Sequence, residues 1–193
     1  MEQPKQNIIK ISDELLTTLI KFREVNPEFT FSLRSRNSVQ SKESRLEIGQ
    51  WFQGSNYIYV PLFKKGDKAR KVKTIGFQIR FNNDGSIRDN YVEISFKRGI
   101  YDKNDISFHE ELALKLGISL NEHHHGTKLY PDNNYLSNLT DYVTRVRSMA
   151  IEGLKKYGLE NDYIVSMEDF EKKLNNTLKI RGKLNAPLQS IFT

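Results

Sequence analysis

The sequence predicts an α+β fold: a mostly antiparallel sheet, open or curling towards a barrel, with one helix before it and further helices packed on it after it. Three observations carry this. Apolar residues recur at helical spacing near the amino terminus, alternate with a period of two from Phe29 onward, and return to helical spacing beyond His109. Ser12-Asp13-Glu14 precedes Leu15, Leu16, Leu19, Ile20 and Phe22, an N-cap with acids in the first turn, so a helix is expected over 12–24, stopped by Asn26-Pro27. Phe29, Phe31 and Leu33, then Ile75, Phe77, Ile79 and Phe81, then Val92, Ile94 and Phe96, alternate with polar or small residues as half-buried strands do. Asn82-Asn83-Asp84-Gly85-Ser86 supplies a hairpin turn between the last two. Tyr57 to Phe63 reads as a strand whose Pro61 asks for an edge or a bulge, and Arg45 to Phe52 as a further strand. Helices follow over Glu110–Leu116, Leu139–Tyr157 and from Ser166 to Gly182, where the glycine stops the last one. The expected organisation is one domain over 1–182, with helix 12–24, sheet core 29–97 and a mainly helical part 107–182, then a tail or linker over 183–193.

Composition bounds the chemistry. The chain has 193 residues, 37% hydrophobic and 28% charged, and no cysteine, which excludes disulfides, thiolate zinc sites and cysteine nucleophiles together. No stretch approaches the ~20 apolar residues of a membrane span, so no membrane contact and a cytoplasmic location are expected. Lys and Arg number 30 against 24 acids, a formal charge of +6, which favours polyanionic partners.

The densest charge feature lies between Lys64 and Arg80, with seven basic residues and one acid: Lys64, Lys65, Lys68, Arg70, Lys71, Lys73 and Arg80 against Asp67. Most of it falls on the loop joining two strands, a shape able to reach a phosphate backbone; a solvated loop with the same lysines is the alternative. A second basic group, Arg34, Arg36, Lys42 and Arg45, is embedded in Ser, Asn and Gln, the residue types of phosphate and base-edge contacts and equally of polar linkers. Trp51, with Phe52, Tyr57 and Tyr59 around Gly49 and Gly54, offers rings for stacking on a base or for filling a core. His123 and His125 would face one way on an extended segment, yet a metal needs a third ligand, for which His109 and Asp132 are the candidates; a polar loop is the simpler reading. No phosphate-binding glycine loop, nucleophile elbow or dinucleotide fingerprint occurs, so no catalytic residue, metal site or cofactor is assigned.

Arg45-Leu46-Glu47-Ile48-Gly49-Gln50-Trp51-Phe52, followed by Tyr57-Ile58-Tyr59-Val60-Pro61-Leu62-Phe63 and the basic turn, resembles the amino-terminal DNA-recognition domains of McrB-type restriction proteins over roughly Phe29 to Lys97. Gly49 and Trp51 match a glycine-tryptophan element, and Tyr57 to Phe63 an aromatic-rich strand ending in Leu-Phe. The family's proline and further aromatics soon after the tryptophan are missing; the first proline here is Pro61. The resemblance implies binding of DNA at a specific site or at a modified cytosine, in partnership with a GTP-hydrolysing AAA+ motor and a separate nuclease subunit, in anti-phage restriction.

The expectation from sequence is therefore a double-stranded DNA-binding specificity module rather than an enzyme. Lys64, Lys65, Lys68, Arg70, Lys71 and Lys73 would grip phosphates; Arg34, Arg36 and Arg45 would meet phosphates or base edges; Trp51, Tyr57 and Tyr59 would be aromatic contacts. Two alternatives stand beside it. One is a protein-interaction module docking through the helices at Leu139–Tyr157 and Met167–Arg181; the other is a divalent-metal nuclease using Asp132 or Glu93.

Overall fold

The computed structural model describes residues 3–34, 45–54, 56–64, 74–95 and 103–189, with backbone alone at 3–5, 64, 74 and 185–189. The first helix, α1, spans Gln3–Glu24 and so starts well before Ser12. Ile8, Ile9 and Ile11 extend its buried stripe, and Pro4 sits in the first turn, where a missing N–H costs nothing. Ser12 is no cap; its Oγ accepts from the Trp51 backbone N–H at 3.0 Å.

Phe29, Phe31 and Leu33 are buried as expected, but so are Thr30 and Ser32, and the segment joins no ladder. Its backbone instead makes single bonds, Ser32 N–H to Pro61 O and Arg34 N–H to Trp51 O, both 2.9 Å. It lies enclosed beside the sheet edge, with Phe31 edge-on to Phe170 at 4.9 Å. The strand expected over Arg45–Phe52 is a turn: Gln50 N–H reaches back to Arg45 O at 2.9 Å, and Gly49 takes φ 86°.

The sheet has four antiparallel strands in the order β1 (Tyr57–Lys64), β2 (Thr74–Phe81), β3 (Ile87–Ser95) and β4 (His125–Leu129). It stays open, with β1 and β4 at its edges. Pro61 lies on an edge and beside a bulge between Pro61 and Phe63, both outcomes that its missing donor favours. The sequence reading missed β4 and treated its histidine-rich start as loop.

Between β3 and β4 runs α2 (Lys103–Leu116). After the sheet come α3 (Tyr135–Asp141), a π-helical turn (Tyr142–Val146), α4 (Arg147–Tyr157), the short α5 (Glu160–Tyr163) and α6 (Met167–Gln189). The helix continues through Gly182, which the sequence reading takes as its stop and the start of a tail.

The register sorts the sheet into two faces. Ile58, Val60, Ile75, Phe77, Ile79, Val92 and Ile94 point inward and belong to the core. Tyr142 stacks on Phe77 at 5.8 Å and donates to Ile75 O at 2.6 Å, so the π-turn is seated directly on this face. α2 approaches α4 closely because Gly153 has no side chain: a Cβ there would come within 2.8 Å of the Phe108 ring. The other face carries Tyr57, Tyr59, Gln78, Arg80, Asp89, Tyr91, Glu93, His125, Thr127 and Leu129.

Candidate nucleic-acid interface

Antiparallel pairing sets which charged segments meet. Lys64 pairs with Thr74 and Thr74 with Ser95, so β1 ends, β2 begins and β3 ends at one side of the sheet. The basic residues Lys65, Lys68, Arg70, Lys71 and Lys73 lie outside the described residues, as does the Lys64 side chain. Lys97 and Arg98, also outside the described residues, follow Ser95 by two and three positions in the sequence. By sequence, the segments 64–73 and 96–98 that adjoin these strand ends carry eight cationic residues against one acid, Asp67.

The second basic group is rooted elsewhere. Arg34 and Arg45 lie near the Tyr57 end of β1, opposite Lys64, and Arg36 and Lys42 fall outside the described residues. The two basic stretches are therefore anchored at opposite ends of one strand, about 23 Å apart at ~3.3 Å per residue.

Arg34 is occupied by the fold. Its Nε donates to Gln50 O at 3.2 Å and Phe52 O at 3.0 Å, and its Nη2 to Phe52 O at 2.6 Å and Gly54 O at 2.8 Å. Burial, and then repulsion from Arg45, push its pKa down. Its Nε and Nη2 donors shape the loop 50–54 and go to the fold, not to a phosphate or base edge. Arg45 Nη1 donates to Gln50 Oε1 and to Gly54 O, each at 3.2 Å.

Trp51 is likewise no surface for stacking. It is 0% exposed, and its Nε1 donates to Asp13 Oδ1 at 3.0 Å. Arg181 grips the same carboxylate with two bonds of 2.8 and 2.7 Å, so Trp51, α1 and α6 meet at one half-buried acid. Tyr57 remains accessible at 37% exposure, and Tyr59 is half-buried with its ring over Gly76, where a Cβ would come within 2.2 Å of it.

On the solvent face of the sheet, charge is balanced. Arg80 makes a two-pronged ion pair with Asp89 at 2.6 and 2.7 Å and lies over the Tyr91 ring at 4.7 Å. Partial burial raises the Asp89 pKa, but the Arg80 hydrogen bonds and charge outweigh it and hold the carboxyl down. Among the described residues this face supplies no cationic excess.

The histidine turn also sits at that end, since His125 pairs with Ser95. Asn121 builds it: its Oδ1 accepts from the His123 and His125 backbone N–H groups at 2.9 and 3.1 Å, and His124 takes φ 52°. Neither proposed third ligand joins it. His109 is buried in α2 beside Tyr163, and Asp132 Oδ1 accepts from Asn134 N–H and Asn138 Nδ2. Among the described residues no three His, Asp or Glu side chains gather to hold a metal ion. Glu93 faces His125 at 3.5 Å. A cleft whose lining includes Glu28 and Glu160, no cationic side chain, and the apolar Ile164, Val165 and Met167 does not suit a polyanion.

The helices offered to a protein partner bury most of their apolar stripes, Leu139, Tyr142, Val143, Val146, Ala150, Leu154, Phe170 and Leu174 lying in the core, while Met167 and Leu178 stay exposed. No helix among the described residues is long and apolar enough to cross a membrane. No family model, curated protein or solved structure matches the chain.

Lys97 and Arg98 are the members of the basic end that the sequence reading left out of its candidates. A signal for them existed: the hairpin turn at 82–86 already returns the end of β3 to the start of β2, and with it whatever follows Ser95.

Proposed function

We propose that the chain is a double-stranded DNA-binding specificity module, gripping phosphates at the sheet end where β1, β2 and β3 bring lysine and arginine together. The observation that carries this is the pairing Lys64–Thr74–Ser95, which tethers two basic segments to one place. A concentrated cationic excess releases condensed counterions from a duplex and binds irrespective of base sequence. Selectivity then belongs to polar and aromatic groups on the solvent face of β1 and β2, Tyr59 and Gln78 at mid-strand and Tyr57 at the far end of β1. With Trp51 inside the core, any modified cytosine is read by groups other than that ring.

The resemblance to McrB-type recognition domains supports the same reading and extends it: a cytoplasmic module of a modification-dependent or site-specific restriction system in anti-phage defence, delivering a AAA+ motor and its nuclease to marked DNA. A gel-shift series with plain duplex, cytosine-methylated duplex and single strand at two salt concentrations tests it. Duplex retention that weakens steeply with salt is expected. Absence of retention at low salt, or equal retention of an acidic protein, would contradict it.

A further inference from the structure

On the solvent face of the sheet Tyr57, Arg80 and Asp89 form one row across β1, β2 and β3, and Tyr59, Gln78 and Tyr91 form the next. Asp89 takes the side edge of the Arg80 guanidinium, Nε to Oδ1 and Nη2 to Oδ2, and the Tyr91 ring backs the guanidinium carbon from 4.7 Å. These bonds use two of the five N–H donors an arginine carries. The end edge, one N–H on each of Nη1 and Nη2, is a second parallel fork, and the side chain keeps 37% of its surface exposed. Arg181 is held by Asp13 in the same side-on manner, but its Nη2 goes on to Thr17 Oγ1 at 2.7 Å, so that fork is spent inside the fold. Charge around Arg80 is already matched: Arg88 Nε also reaches Asp89 Oδ2, at 3.2 Å, and Glu93 adds a second carboxylate to the face. A phosphate brought to the Arg80 fork would meet both carboxylates, whereas a neutral pair of acceptors would not be repelled. The major-groove edge of guanine offers such a pair, O6 and N7.

We propose that Arg80 reads a guanine edge in the major groove of a bound duplex, with Asp89 as the residue that positions its fork. This rests on the duplex-binding reading and adds the base that the sheet face selects. Past the row of Arg80 and Asp89 the ladder narrows to β2 and β3 alone, which close in the turn at 82–86. A two-stranded ribbon of this kind is what a major groove admits. Arg80 stands at the base of that ribbon, with its tilt limited by Tyr91 beneath it and its rotation by Asp89 beside it. A base contact displaces no phosphate counterion, so Arg80 acts on selectivity and leaves the salt slope alone.

Two duplexes of equal length, one alternating dG with dC and the other dA with dT, carry the same phosphate charge and separate base reading from grip. In anisotropy titrations the unaltered protein should bind the dG–dC duplex about fivefold more tightly or better, the discrimination of one bidentate base contact. Replacing guanine by 7-deazaguanine, which lacks the N7 acceptor, should erase most of that preference. Arg80→Lys keeps the charge and loses the fork; Asp89→Asn keeps the arginine and loosens it. Each should bring the ratio of the two affinities close to unity, and Arg80→Lys should keep the salt slope of the unaltered protein. The ratio does not depend on the folded fraction, so a less stable variant still reports on base reading. An ion pair that serves the fold alone would lower the urea midpoint of both variants and leave the ratio as it was, which would overturn the proposal. A preference that survives 7-deazaguanine, or equal binding of both duplexes by the unaltered protein, would overturn it too, with duplex binding intact. Retention of neither duplex at low salt would instead defeat the duplex-binding reading itself.

Discussion

Trp51 and Arg34 show how far a side chain's type is from its role. A lone tryptophan among glycines and tyrosines suits base stacking as well as it suits a core, and only the approach of Ser12 and Asp13 from a distant helix decides between them. Arg34 stands in a polar stretch that reads as a phosphate contact. The three carbonyls that take its donors come from residues 50, 52 and 54, and no local pattern announces that return of the chain. Trp51→Phe removes the indole donor to Asp13 while leaving a ring in place. Loss of a hydrogen bond to a charged acceptor should lower stability by about 1.5–3 kcal/mol, read by urea denaturation, with duplex selectivity unchanged wherever the variant is folded. A stable variant with altered selectivity would return Trp51 to the binding surface.

Elements were legible where one periodicity dominated. The alternation of β2 and β3 and the turn between them follow from the sequence, and so does the stripe of Leu139 to Leu154, because each buries one side of a regular element. Segments enclosed on every side were not: around Thr30 and Ser32 both parities are buried, and the two-residue signal says strand where no ladder forms. Gly182 misled in the opposite direction. Glycine in a helix costs only about 1 kcal/mol, and the preceding Arg181 is fastened to Asp13 while Leu184 packs against the core, so α6 runs on. The contact of α2 with α4 carries a pH dependence of its own. Glu111 accepts from Lys156 Nζ at 2.5 Å and from the Tyr157 hydroxyl at 2.9 Å, and Lys115 lies at 3.2 Å. The Lys156 bond first, then those to Tyr157 and Lys115, hold its carboxyl at about 2 against an ordinary 4.5. A depressed carboxylate stabilises above its unfolded pKa and loses that contribution as pH falls through the folded one. Glu111→Gln should therefore be less stable than the unaltered protein near neutral pH and converge with it as pH drops from about 4.5 to about 2, followed by urea midpoints across that range. A constant difference down to the lowest pH would contradict the assignment.

For the molecule as a whole, the α+β class and the presence of a basic loop could be read from the residues, while the place where charge accumulates could not. Two basic stretches separated in sequence look equally able to meet, yet Arg34 and Arg45 are rooted at one end of β1 and Lys64 at the other. What pairs beside the Lys64 end instead is Ser95, which Lys97-Arg98 follow in the sequence. Sheet topology, rather than composition, determines the candidate surface. The direct measurement is the salt dependence of duplex binding for the unaltered protein, for Lys68→Ala/Arg70→Ala/Lys71→Ala and for Lys97→Ala/Arg98→Ala. Each phosphate contact removed should flatten the slope of log affinity against log salt by about 0.9, so both variants should bind all duplexes more weakly and with a shallower slope. A Lys97→Ala/Arg98→Ala protein that keeps the full slope while the triple variant loses it would show that the two segments do not act on one ligand, and the shared basic end would be refuted.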